Sequence, residues 1–340
     1  MADNNNQEEP ELTSQASAWD VFQVTLPDGG FMQTSWWAKF MENLGWGHFG
    51  VVVRDGGTIL GGAQVLRNLY SPGHCFYYIP EGPALPADPE DGVQVHQYIL
   101  AYIEKMRQDD KNVVSHLRIE PRWEHLPDYI TGFEAARDWM EPRNTLCIDL
   151  TATEAGILAQ MKPKGRYNIG LAQRHGVTVV EDASPKGVAD FLSLYNETVT
   201  RQNIRGKRET YFHPLIAMLT ELDKGSILFA EYAGVRVATV LTVHFGHRVT
   251  YFYGGSTDQH RQVMASYLLH FEIMLRMKAQ GYECYDLYGI APVDQPGHKW
   301  ANFSSFKRKL GGQDFQFVPA QDYVYDARAY EGYKNIKNVF

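Results

Sequence analysis

The sequence predicts an α/β protein of the α+β kind, with two similarly ordered halves whose mixed sheets are flanked by helices. Three observations carry this expectation. Strand-like text rich in aromatic residues alternates with helix-like text along the whole chain. The order of these segments recurs about half a chain later. The 340 residues, 44% of them hydrophobic, are enough for two cores rather than one.

The recurrence can be read directly. FYYIPEGP (76–83), a loop and HQYILAYIEKMRQDDKNVVSHLRIEP (96–121) are matched by TYFYGGST (250–257), a loop and ASYLLHFEIMLRMKAQGYECYDLYGIAP (265–292). Each run reads as an aromatic strand, a loop, an amphipathic helix, a strand and a proline. Tyr98, Ile99, Tyr102 and Met106 give the first helix an apolar face, and Tyr267, Leu268, Phe271, Leu275 and Met277 give one to the second. Upstream, VVVRDGGTILGGAQVLR (51–67) and LFAEYAGVRVATVLTVHF (228–245) both read as two strands joined by a glycine turn. A hairpin, a strand, a helix and a strand in each half resemble the acyltransferase fold of the GNAT type, here two domains in tandem. In that fold the loop before the helix cradles a pyrophosphate on backbone N–H groups, and glycines permit the close approach. Here the loops are ALPADPEDG (84–92), acidic and proline-rich, and DQHRQVMAS (258–266), which has no glycine. Neither suits coenzyme A.

Composition narrows the function classes. A net charge of −8 argues against a protein that coats nucleic acid, so any anionic partner must be met locally. Cys75, Cys147 and Cys284 lie far apart and odd in number, which fits small core residues in a reducing cytoplasm rather than a disulfide framework. The polar, acidic stretch 1–18 reads as a disordered tail without an apolar signal core. No run approaches the roughly 18 apolar residues of a membrane span. None of the twelve histidines stands in HxxxH or HExxH, so no metal is expected.

Three basic islands stand out against this acidic background. MKPKGRYNIGLAQRHG (161–176) carries Lys162, Lys164, Arg166, Arg174 and His175, with Pro163 placed to start a helix and Gly176 to end one. TRQNIRGKRETYF (200–212) combines Arg201, Arg205, Lys207 and Arg208 with Tyr211 and Phe212. SSFKRKLGGQ (304–313) sets Lys307, Arg308 and Lys309 between Phe306 and a glycine pair. Each has a plain structural reading: a solvated helix face, a basic surface loop, and a hairpin turn with lysines on its edge. Arginine forks and aromatic rings also suit phosphates and bases, and three islands in one half favour a shared anionic ligand.

Four blocks in order resemble the Fem family of peptidoglycan interpeptide-bridge aminoacyltransferases. They are YIPEGP (78–83), PRNTLCIDL (142–150) with MKPKGRYNIGLAQRHGV (161–177), YLLHFEIMLRMKAQGYECYDLYGI (267–290), and FKRKLGG (306–312). The resemblance implies two GNAT-like domains, residues 19–149 with about 320–340 and residues 150–319. It implies transfer of an amino acid from the acceptor end of aminoacyl-tRNA to an amine of UDP-MurNAc-pentapeptide or lipid II, in the cytoplasm, without metal, dissociable cofactor or stable membrane insertion. No long insertion separates residue 176 from residue 250, so the chain is similar to the compact members without a helical-hairpin arm. Matching positions imply substrate contacts for Lys39 in SWWAKF (35–40), Arg208, Tyr211 and Tyr253, with Phe212 as an alternative to Tyr211. They place Lys307 near the reaction centre.

The residues permit one chemistry without a covalent enzyme intermediate: an amine attacks an activated ester, and positive charge stabilises the oxyanion. Lys307 can supply that charge, and can serve as a base only if its pKa is depressed. Asp286 is a candidate proton acceptor, or a structural strand-end residue. Two other readings remain open. One is a GNAT-fold acyltransferase with an acyl-CoA donor or a natural-product peptide acceptor. The other is a non-catalytic module that binds a nucleotide sugar or tRNA.

Overall fold

The structure is a computed structural model that describes residues 17–295 and 297–336. Residues 1–16 of the expected tail lie outside the described residues. Its last two residues instead start a helix, with the Ser17 hydroxyl accepting from Asp20 N–H. The chain divides into two compact units, with breaks at Met140/Glu141 and Phe317/Val318.

The first unit opens with helices α1 (Ala18–Thr25) and α2 (Ser35–Asn43). Its sheet is built from β1 (Gly47–Asp55), β2 (Thr58–Ser71), β3 (His74–Pro80), β4 (Val113–Glu120), β5 (Glu134–Ala135) and a late strand, β13 (Gln321–Val324). The order is β1-β2-β3-β4-β13-β5. Gly56 and Gly57, both at positive φ, make the turn of the first hairpin. Helix α3 (Pro89–Gln108) crosses over between the parallel strands β3 and β4. Asp88 caps it, Pro89 occupies its first turn, and Lys105 and Arg107 sit in its last turn. Its buried stripe is Val95, Ile99 and Ile103, one turn apart. Tyr98, read from the sequence as part of that stripe, is 64% exposed.

The C-terminal return is fixed to this unit by a buried ion pair. Arg118 on β4 donates twice to the Asp322 carboxylate on β13, both at 2.7 Å. Tyr330 in helix α10 (Ala327–Lys334) donates to the same carboxylate at 2.7 Å. Asp322 is fully buried, so its charge depends on these donors for compensation.

The second unit contains β6 (Asn144–Asp149), α4 (Glu154–Gln160), α5 (Pro163–Arg174), β7 (Thr178–Glu181), α6 (Pro185–Gln202), α7 (Glu209–Glu221), β8 (Ile227–Tyr232), β9 (Val235–Phe245), β10 (Arg248–Ser256), α8 (Ala265–Ala279), β11 (Cys284–Asp286), α9 (Ala301–Lys307) and β12 (Gln313–Gln316). The sheet order is β12-β6-β11-β10-β9-β8-β7. Strands β8, β9 and β10 are antiparallel neighbours, and β10 and β11 run parallel across α8. The hairpin, strand, helix and parallel strand of the first unit therefore recur, as the repeated text predicts. Residues 144–149, assigned from sequence to the first domain, belong here: β6 is an inner strand paired with β11 and β12. The break accordingly falls at 140/141 rather than 149/150. Among the described residues no helix is long and apolar enough to cross a membrane.

Replacing Asp322 with Ala should lower the unfolding free energy by about 3–5 kcal/mol, because it leaves Arg118 charged, buried and unpaired. Urea titration is the measurement. Arg118→Met combined with Asp322→Leu should recover most of the loss. A single-variant loss close to that of a surface substitution would show that the pair does not hold the C-terminal return.

Candidate functional site

Lys307 ends α9, and its environment differs from the solvated hairpin edge considered above. The residue is only 8% exposed. Its Nζ donates to the Gly289 carbonyl at 2.9 Å and lies 5.1 Å from the ring centroids of both Tyr251 and Phe303. Two π-faces and one carbonyl replace part of the ammonium's lost hydration. Burial nevertheless dominates and pulls its pKa down from 10.5 to about 7, against the pull of the Asp286 charge, which favours the ammonium. The lysine is thereby poised between its two protonation states near neutrality.

Asp286, the sequence candidate for proton acceptor, is a fully buried residue at the end of β11. Its carboxylate accepts from Thr145 Oγ1 and from Tyr288 N–H, the latter at 2.8 Å, and lies 3.9 Å from Arg248 Nε. It acts as a fixed negative charge in the strand layer and holds Lys307 electrostatically. His270 is next to this group, with its ring 4.7 Å from Tyr251 and its Nδ1 2.8 Å from Tyr285 Oη. Burial and the Lys307 charge lower its pKa to about 3, so it is neutral.

Arg208, Tyr211 and Tyr253 gather at a second place in the same unit. Arg208 is exposed at the N-cap position of α7, and Tyr211 lies in the first turn of that helix. Tyr253 Oη donates to Tyr211 Oη at 3.2 Å. Lys207 Nζ stands over the Tyr211 ring at 5.3 Å, and Lys207 N–H donates to Tyr195 Oη at 2.9 Å. Burial pushes the pKa of both Tyr211 and Tyr253 upward, so both keep their protons at neutral pH. Phe212, the alternative to Tyr211, is wholly buried between Phe191, Tyr195 and Tyr253 and presents nothing to a ligand.

A bulge in β10 separates these two groups. Its pairing with β9 shifts register between Tyr251 and Tyr253. Tyr251 faces α8 and Lys307. A Cβ on Gly254 would come within 2.7 Å of the Tyr251 ring, so Gly254 shares that face. Phe252 and Tyr253, 4.5 Å apart, turn to the other face, where Tyr253 meets α6 and α7. Lys307 and the Arg208–Tyr211–Tyr253 group therefore stand on opposite faces of one strand. Lys39 belongs to the first unit, exposed on α2, with its Nζ 2.5 Å from Glu42.

Two residues near Tyr253 were not singled out in the sequence. Tyr288 adopts a positive φ of 56°, uncommon for a residue with a side chain, and donates its hydroxyl to Glu141. Its ring lies 5.5 Å from Phe252. The Glu141 charge adds to the upward push on Tyr211 and Tyr253. Neither residue carries a local signal: Glu141 precedes a proline, and Tyr288 reads as one more strand aromatic. The three cysteines are free, and burial raises the Cys75 thiol to about 12, far from a reactive thiolate. Among the described residues no three His, Cys, Asp or Glu side chains gather as metal ligands.

Comparison with known proteins places this geometry. A model of the FemAB family matches residues 128–233 and 219–337. The lipid II:glycine glycyltransferase of Staphylococcus epidermidis is 20% identical over 399 aligned residues, covering 94% of this chain and 93% of the relative. The UDP-N-acetylmuramoylpentapeptide-lysine N(6)-alanyltransferase of Weissella viridescens is 23% identical over 288 residues, covering 80% of this chain and 83% of the relative. The crystal structure of FemX superposes with a TM-score of 0.82 at 17% identity, over 95% of this chain and 99% of that one. The tandem GNAT-like architecture expected from the sequence is the one observed, and the chain belongs to the FemAB family.

Proposed function

We propose that this chain moves an amino acid from aminoacyl-tRNA to an amine of a peptidoglycan precursor peptide, either UDP-MurNAc-pentapeptide or lipid II. The chain is an aminoacyltransferase of cross-bridge synthesis, and it works in the cytoplasm, where both substrates are made. The observation that carries this reading is the near end-to-end likeness to two aminoacyltransferases that differ in precursor and share the transfer.

The chemistry follows from Lys307. The acceptor amine attacks the ester carbonyl, a C–N bond forms, and the C–O bond to the ribose breaks. The amine must lose a proton and the departing ribose oxygen must gain one. A lysine with a pKa of about 7 can do both: its neutral form accepts the amine's proton, and the resulting ammonium stabilises the oxyanion and protonates the leaving oxygen. The surrounding rings of Tyr251 and Phe303 keep the dielectric low, which strengthens that charge in the transition state. Arg208, with neutral Tyr211 and Tyr253 as hydroxyl donors, suits phosphate oxygens of the precursor. Lys39 is assigned to the same precursor by position in the sequence.

An acyl-CoA donor is disfavoured by the helix N-terminus that would hold its pyrophosphate. In the first unit the Asp88 carboxylate already accepts from Glu90 and Asp91 N–H at 2.9 and 3.2 Å, and Glu90 and Asp91 add negative charge. No metal or dissociable cofactor enters the proposed reaction.

Two predictions follow from a buried, half-neutral lysine. Incubated with precursor and charged tRNA, the protein should add amino-acid mass to the precursor, and ribonuclease should abolish the gain. Lys307→Met should then lower kcat by about 10²–10³-fold. Lys307→Arg should be nearly as poor, because arginine keeps its charge and cannot become neutral. Wild-type turnover should rise with pH through about 7. A mass gain that requires acetyl-CoA instead would overturn the donor assignment.

The second prediction concerns stability. The unfolded chain holds the Lys307 proton up to about 10.5, and the folded protein releases it at about 7. Between these values the unfolded state binds more protons, so wild-type stability rises with pH across that window. Lys307→Met should therefore unfold at higher urea than wild type below pH 7. The difference should shrink as pH climbs toward 10.5. A constant difference would mean that the lysine is not buried as a charge.

A further inference from the structure

We propose that the exposed face of α5, with Lys309 beside its first turn, is the surface on which the polynucleotide of the donor rests while its acylated end reaches Lys307. The inference rests on the aminoacyl-tRNA reading above and deepens it, since nothing there says where the body of the donor lies.

Charge provides the first argument. Residues 161–176 contain four lysines and arginines and no carboxylate, in a chain of net charge −8. Lys162, Lys164, Arg166 and Arg174 are all exposed. Several exposed or half-buried cations elsewhere are paired: Lys39 with Glu42, Arg107 with Glu104, Lys186 with Asp190, and Arg236 with three carboxylates. Among the described residues the four α5 cations and Lys309 make no ion pair. A cluster of like charges left uncompensated on an acidic protein favours a polyanion in contact with it.

Ring chemistry provides the second. Tyr167 is 55% exposed on the same face, with Lys164 Nζ 4.8 Å and Arg174 Cζ 6.0 Å from its ring centroid. An exposed ring among cations suits stacking against bases beside a phosphate backbone. A lipid surface suits it less, since insertion needs an exposed apolar stripe. The apolar residues Ile169 and Ala172 of α5 are buried in the core instead.

Position provides the third. The N-terminus of α5 abuts the segment that follows Lys307. Lys162 N–H donates to Lys309 O at 3.2 Å, and a Cβ on Gly165 would fall 2.1 Å from that oxygen. The face therefore begins two residues from the catalytic lysine. It runs about 18 Å along the helix, a length over which duplex nucleic acid carries about ten phosphates.

The test is binding of uncharged bulk tRNA, and of a hairpin with an acceptor stem ending in CCA, measured by fluorescence anisotropy across a salt series. The variant is Lys164→Ala with Arg174→Ala, which leaves in place Arg166, whose Nη1 donates to Met161 O at 2.5 Å. Circular dichroism and the melting midpoint verify that the variant folds. The expected result is affinity about 10-fold weaker, with the slope of log K against log salt reduced by about 2, one for each lost phosphate contact. Tyr167→Ala should weaken the CCA hairpin and leave the salt slope unchanged. Equal RNA binding by wild type and the double variant would overturn the surface and leave the donor reading intact. Wild-type binding to phosphatidylglycerol vesicles without binding to RNA would overturn it in favour of a membrane. RNA binding lost in the variant, with no amino acid transferred from charged tRNA by wild type, would support the surface while removing the donor reading.

Discussion

An extra residue in β10 sets the chemistry of the second unit. In a regular strand Tyr251 and Tyr253 would point to the same face. The register shift between them sends Tyr251 toward α8 and Tyr253 toward α6 and α7. Bulges are costly interruptions of a ladder and persist where they aim side chains. Here the aim is double. One strand supplies a π-face to a buried ammonium and a phenol hydroxyl to a tyrosine pair on its other side. Gly254 is the local consequence, since a side chain there would collide with the Tyr251 ring.

The buried lysine, in turn, depends on the strands that flank it. Its ammonium is stabilised at a distance by Asp286, whose own buried charge is supported by donors from Thr145 on β6 and the Tyr288 N–H and by the nearby Arg248 guanidinium. Strand β6 therefore shapes the electrostatics around Lys307 as well as the sheet. Assigning Asp286 to proton transfer would remove the one negative charge that offsets part of the Lys307 desolvation. Its burial and its donors fit a fixed counter-charge, and that leaves Lys307 itself as the group able to exchange a proton near neutrality.

Much of the fold was legible because it repeats and because helix ends carry their own chemistry. The hairpin, strand, helix and strand text of each half became the same topology in each sheet. Pro163 starts α5, and Gly176, at a positive φ, follows its end. The break between units was misplaced because β6 is short and its hydrogen-bond partners, β11 and β12, lie more than 130 residues away. The burial of Lys307 was hidden for a related reason. KRK followed by Gly-Gly is indistinguishable from an exposed turn until Gly289, Tyr251 and Phe303 are brought around it. The bulge left no mark beyond two glycines after YFY, and glycines there fit many strand ends. Tyr288 and Glu141 meet across 147 residues of sequence, a pairing that no periodicity reports.

The basic islands answer differently once their contacts are known, and glycine is the reason. Gly165, Gly311 and Gly312 each stand where a side chain would strike backbone: at Lys309, Gln160 and Cys147 respectively. Gly311 and Gly312 also need positive φ. These residues let the end of α4, the start of α5 and the turn after α9 come within backbone contact. Two islands separated by about 140 residues of sequence thus become one structural element, with the buried lysine at its inner end and exposed cations along its outer face. Local sequence can present charge, but only close backbone approach can grade it from a solvated surface to a desolvated, titratable amine within a few residues. That gradient suits a substrate carrying many charges on its body and one reactive ester at its tip.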